Sequence, residues 1–159
     1  MNKIDPNLAG QIRTMKVVYW AMALVQVFFG VAAYAIVSMG MMGKPDYNLA
    51  LTLQKVSLVF VPMSMAVGYF FFRRQISKID KQVALAEKVK RYFALIIVRA
   101  AFFEAAFFFC GVSALITGVH LFLWIAPVIF FVFLLLRPTP EGIAADLELM
   151  PSDRNKLVQ

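Results

Sequence analysis

Four long apolar runs leave this chain few places to fold other than a lipid bilayer. They are Val17–Met42, Val56–Phe72, Tyr92–Gly118 and Val119–Leu136. About 20 predominantly apolar residues, wound as a helix, cross a hydrocarbon core about 30 Å thick. In that medium every backbone N–H and C=O must be paired within the segment, which helices do and open strands do not. The runs occupy most of the 159 residues, and 62% of the chain is hydrophobic, against about half in soluble domains. What is left over is too short to bury a soluble core. The sequence therefore predicts an all-α, polytopic membrane protein, a bundle of four transmembrane helices.

Charge sets the expected orientation. Of the 16 lysines and arginines, thirteen fall on one side of the predicted membrane. They are Lys3, Arg13 and Lys16 before the first run, then Arg73, Arg74, Lys78, Lys81, Lys88, Lys90 and Arg91 between the second and third. Arg137, Arg154 and Lys156 follow the fourth. Lys44 and Lys55 fall on the other side, and Arg99 lies within a run. Short loops rich in Lys and Arg stay in the cytoplasm, so both termini and the central loop are expected there. The net charge of +7 then serves topology and anionic lipid headgroups. No basic, aromatic-interleaved soluble surface exists for nucleic acid.

Three regions follow. Residues 1–16 form a cytoplasmic arm in which Asn7 can cap a helix running into the first span. Residues 17–136 form the transmembrane domain, with a basic cytoplasmic segment, 73–91, read as a helical extension of spans two and three or as a helix on the headgroups. Residues 137–159 form the tail, with Thr139 suited to an N-cap, Pro140 to the first helical position and Glu141 to the first turn. Ile143, Leu147 and Met150 then share a face. Ala33-Tyr34-Ala35 looks like a signal cleavage site, but the apolar run is much longer than a signal core of about 7 to 15 residues, so the first run reads as a retained span. Gln26 and Glu104 each precede a glycine, Gly40 and Gly118, by the same interval, which suggests a duplicated helical hairpin.

Four polar residues are expected at membrane depth. Taking Val17, Phe72 and Tyr92 as the cytoplasmic edge, Arg99 lies ~10 Å deep, Ser64 ~12 Å, Gln26 ~14 Å and Glu104 ~18 Å at the helical rise. In a compact bundle they could meet. Arg99 can extend its long side chain toward the headgroups. Glu104 cannot, and needs a partner, a water-filled cavity or a proton. A charge at helix centre costs about 2.5 to 3.5 kcal/mol on insertion scales, whereas one hydrogen bond in a membrane returns only ~0.6 to 2 kcal/mol. The cluster is either a structural polar network or a reversible proton or cation site.

Other chemistries find no residues. The single cysteine, Cys110, has no partner for a disulfide or metal site and reads as an apolar space-filler. His120 reads as a polar cap at the corner between spans three and four. Phe102-Phe103, Phe107-Phe108-Phe109 and Phe130-Phe131 cover all faces of their helices, as lipid-facing packing does, and no axial His or Cys set exists for haem. No cofactor, metal or enzymatic activity is expected. The third run has the mid-helix acid of rotary-ATPase proteolipid subunits, but the first run is poor in glycine and the charge-based orientation is opposite. Arg99-Ala100-Ala101-Phe102-Phe103-Glu104, followed by Ala114-Leu115-Ile116-Thr117-Gly118 and the tail Arg137-Pro138-Thr139 with Asp146-Leu147, resembles a family of small four-helix membrane proteins of Bacteroidetes-type bacteria. That resemblance implies an inner-membrane location and brings no activity. Two functional expectations remain. One is an accessory or assembly subunit with protein partners. The other is a homo-oligomeric translocator of protons or cations using Glu104, with Arg99 and Gln26 as tuning groups.

Overall fold

A computed structural model describes residues 6–41, 43, 45–80 and 82–158; Lys3, Lys44 and Lys81 lie outside them. All of the regular structure there is helical: α1 (Pro6–Ser38), α2 (Tyr47–Ile76), α3 (Leu85–Thr117), α4 (Leu121–Leu135), α5 (Pro140–Asp146) and α6 (Pro151–Val158). At 33, 30 and 33 residues, α1 to α3 are about 45 to 50 Å long, and each is apolar enough to cross a membrane. All three start before their predicted apolar segments; α2 also runs past the end of its segment, whereas α1 stops at Ser38 and α3 at Thr117, where Gly118 caps it. Asn7 is accordingly inside α1 rather than capping it, with Pro6 in the first helical position.

The fourth span differs from expectation. Val119–Leu136 is helical only over the 15 residues of α4, about 22 Å, short of a full hydrocarbon core. The stop has a local cause. Pro138 disfavours helical geometry at Arg137, and the chain turns 75° into α5. Thr139 then caps α5, its Oγ1 accepting from the Gly142 N–H at 3.0 Å, with Pro140 at the start of the helix. Removing this cap should cost about 0.5 to 2 kcal/mol. For Thr139→Ala, hydrogen exchange in α5 is expected to speed up while the cores of α1 to α3 stay protected; unchanged α5 protection would count against the cap.

The packing is organised around α3, which α2 lines on one side and α1 and α4 on another. The α1 contact stripe, Leu8, Ile12, Met15, Tyr19, Ala23, Gln26, Ala33 and Val37, recurs at helical spacing. The α2 stripe is narrower and smaller: Ala50, Ser57, Val61, Ser64, Gly68, Phe72 and Ile76. Small residues let membrane helices approach closely. A Cβ on Gly68 would lie 2.7 Å from Phe102 Cβ, and one on Gly111 would lie 2.3 Å from the Phe29 ring.

Loops at one end of the bundle tie together. The Asp46 N–H donates to the Thr117 carbonyl at 2.9 Å, and Asp46 Oδ1 caps α2 by accepting from Leu49 N–H. Gly118 closes α3 in the left-handed region, φ +67°, where a glycine carries no Cβ penalty. At the opposite end lie the α2–α3 link, the start of α1 and the tail. The link is a bend between Ile76 and Leu85, with the flanking residues continuing α2 and α3. The two helical hairpins are not alike: α3 and α4 pack along each other, whereas α1 and α2 scarcely touch. The structure thus argues against a duplicated hairpin. Nor does the tail keep Ile143, Leu147 and Met150 on one face. Ile143 and Leu147 are buried, but Glu148 takes φ 48° and turns Met150 outward. A further helix, α6, follows in the segment that the sequence marks only as tail, and it buries Leu157.

Candidate functional site

The four polar residues do not form one cluster. They separate into three arrangements, each with its own partners.

Arg99 is almost fully buried and goes to the end of α4. Its Nη2 donates to the Leu136 carbonyl oxygen at 2.6 Å. Its guanidinium carbon lies 4.2 Å from the Phe72 ring centroid, a cation–π contact to α2. The Leu136 carbonyl is among the last of α4 and has no continuing helix to donate an N–H to it, and a cation at a helix C-terminus also opposes the negative end of the macrodipole. Around it, Phe72 and Tyr92 meet edge to face at 5.7 Å. The Tyr92 hydroxyl donates to Asp146 Oδ2 at 3.1 Å, and Arg73 Nη1 reaches Asp146 Oδ1 at 3.4 Å. On the other side, Tyr19 stacks on Phe133 at 4.5 Å and donates its hydroxyl to the Phe133 carbonyl. Residues of α1, α2, α3 and α5 therefore converge on the place where α4 stops.

Ser64 serves the α2–α3 contact. Its Oγ donates to the Phe102 carbonyl at 2.8 Å, one turn from the close approach at Gly68. The Ser64-x-x-x-Gly68 pair was a readable signal for this seam, since small residues four apart mark a helix-packing face.

Gln26 and Glu104 are the one predicted pair that comes together. Gln26 is fully buried and its amide lies beside the Glu104 carboxyl, yet neither amide atom closes a hydrogen bond of ordinary length and angle. Glu104 is half-buried, so part of it reaches the outer surface of the bundle. It stands about 18 Å along α3 from Tyr92 and about 20 Å from Thr117. Among the described residues no lysine or arginine pairs with it. Beside Gln26, a groove of about 330 Å³ opens between α1 and α4, with Gly30, Tyr34, Phe107, Pro127 and Phe130 on its walls.

Cys110 is fully buried in the core, where its thiol fills space. His120 occupies the turn into α4, its Nε2 3.3 Å from Ser38 Oγ and its ring edge-on to Tyr34. No group of three or more metal-ligating side chains occurs among the described residues. The residues that sequence reasoning missed are Asp146, Tyr92 and Tyr19. Asp146 is distant in sequence from the spans it touches, Tyr92 marks only the start of the third apolar run, and Tyr19 carries no signal of its own.

What the arrangement does chemically is therefore divided. Arg99 and Ser64 are committed to main-chain acceptors within the fold, and the carboxyl of Glu104 is left with one amide neighbour. No protein-family model, curated protein or solved structure matches this chain.

Proposed function

We propose that this chain is an accessory or assembly subunit of a larger complex in a bacterial inner membrane, a four-span protein with both termini in the cytoplasm. The resemblance to small four-helix inner-membrane proteins agrees with this setting. In this reading α4 and the turn into α5 together make the fourth crossing. The basic residues of α1's start, of the α2–α3 link and of Arg137 lie at one end of the bundle, as the positive-inside rule requires of a cytoplasmic face.

The observation that carries the reading is Glu104. A carboxyl at mid-bilayer that reaches the bundle surface is costly without a counterpart, and the described chain offers it only Gln26. A second membrane helix bringing a cation or a hydrogen-bond donor to the α1–α3 face at that depth would supply one. The rival reading, proton or cation translocation, needs polar groups in sequence along a path. Here Arg99 and Ser64 are occupied elsewhere, which favours docking. The part-exposed carboxyl is the one feature that favours transport.

Gentle detergent extraction of the tagged chain, followed by native mass spectrometry, separates the two. The native protein is expected to retain a foreign subunit in fixed stoichiometry, and Glu104→Leu to lose it while remaining folded. Homo-oligomers alone, with cation or proton flux in liposomes that Glu104→Gln abolishes, would establish transport instead.

A further inference from the structure

Beside the turn between α4 and α5 lies a second concavity, of about 280 Å³, with neither Gln26 nor Glu104 in its lining. One wall is α1, where Lys16, Tyr19 and Trp20 share a face at helical spacing. The other is the chain from Arg137 to Glu141. The walls are held in place from behind. Tyr19 is stacked on Phe133 and bonded to its carbonyl, Pro138 is buried, and the Thr139 hydroxyl is engaged with the Gly142 N–H.

Two cations from separate elements, Lys16 and Arg137, therefore face one groove, and neither has a carboxylate partner among the described residues. Glu141 stands on the rim without pairing to either. The lining carries two positive charges and one negative, a net of +1. Trp20 is 50% exposed beside them, and an exposed tryptophan next to lysine and arginine marks the level of lipid headgroups. Below it the α1 surface continues apolar and exposed through Leu24, Val27 and Phe28, a track for an acyl chain.

We propose that this groove binds the headgroup of one anionic glycerophospholipid, its phosphodiester between Lys16 and Arg137 and a chain along α1 past Trp20. A phosphodiester carries a single negative charge and matches the net charge of the lining. A free phosphate dianion would meet Glu141 without the compensating acyl contact. This inference rests on the membrane setting and is independent of what docks at Glu104.

The test uses the full-length chain in dodecyl maltoside micelles, titrated separately with palmitoyl-oleoyl phosphatidylglycerol, phosphatidylethanolamine and phosphatidylcholine, with bound lipids counted by native mass spectrometry. One phosphatidylglycerol per chain is expected to be retained, about tenfold or more above phosphatidylcholine. Lys16→Gln with Arg137→Gln should remove that preference, and Glu141→Gln should strengthen it. Both cations are exposed, so the variant keeps its core; Lys16→Gln alone, expected to give part of the loss, serves should the pair misfold. Lys55→Gln with Lys90→Gln, the same charge loss elsewhere, should leave retention unchanged. Equal loss in that control, indifference to headgroup, a preference for phosphatidylethanolamine, or displacement by millimolar inorganic phosphate would each overturn the proposal.

Discussion

Replacing Arg99 by methionine is expected to destabilise the protein by about 2 to 4 kcal/mol, because two contacts disappear together. A hydrogen bond from a charged group is worth about 1.5 to 3 kcal/mol, and a desolvated cation–π contact adds roughly 0.5 to 2 kcal/mol. Methionine fills much of the volume, so the loss isolates the guanidinium from its stem. The Leu136 carbonyl, accepting at 2.6 Å in the native protein, would be left without its strongest donor at the point where α4 stops. Arg99→Lys keeps the charge but loses the planar fork and its stacking on Phe72, and should fall between the two. Unfolding in mixed micelles with increasing dodecyl sulfate measures the effect. A shift under about 0.5 kcal/mol for Arg99→Met would mean that the contact contributes nothing measurable, as many exposed ion pairs do. Hydrogen exchange should localise the damage to α5 and the end of α4, since α2 keeps its own seam with α3 through Ser64 and Gly68.

The second large effect concerns Gly111. An added Cβ would stand 2.3 Å from Phe29 Cε1, closer than any non-bonded carbon pair, so the ring must move. The ring packs edge-on against Phe108 at 4.9 Å, so moving it disturbs that contact. Gly111→Ala is therefore expected to cost about 1 to 3 kcal/mol through overpacking, despite alanine's better helix propensity. Residues in contact do not add independently. In the background of Phe29→Ala, itself destabilising, Gly111→Ala should become neutral or mildly favourable. A coupling near zero in that double-mutant cycle would place the cost of Gly111→Ala somewhere other than this contact.

Much of the architecture was legible because three helices carry long apolar runs of the kind that a bilayer enforces. A long apolar run in lipid has to be a helix, and α1, α2 and α3 each cover most or all of a predicted run. The cap at Thr139 was legible for a similar reason: Thr-Pro-Glu carries its own local geometry. The short α4 was harder. Apolar residues continue to Leu136 whether or not the helix crosses the whole core, and the proline that stops it lies beyond the run. The depth estimates put Arg99, Ser64, Gln26 and Glu104 in one band, but a common depth says nothing about azimuth. Arg99 points at α4, Ser64 at the α3 backbone and Glu104 at α1. The azimuth depends on which helix lies beside which, and the sequence does not specify that α1 and α2 part to different sides of α3. Asp146 was invisible for the same reason, since its contacts with Tyr92 and Arg73 exist only once the tail has turned back.

That parting of α1 and α2 has a consequence for how the protein is made. Helices inserted one by one find each other laterally afterwards. α1 and α2 scarcely touch in the finished protein, so neither can hold the other before α3 is made. Each is held only once α3 is present, on a separate face of it. The stretch of synthesis between the end of α2 and the completion of α3 is thus a window of exposure. In it the small-residue stripe of α2 and Gln26 of α1 stand open to any wrong neighbour.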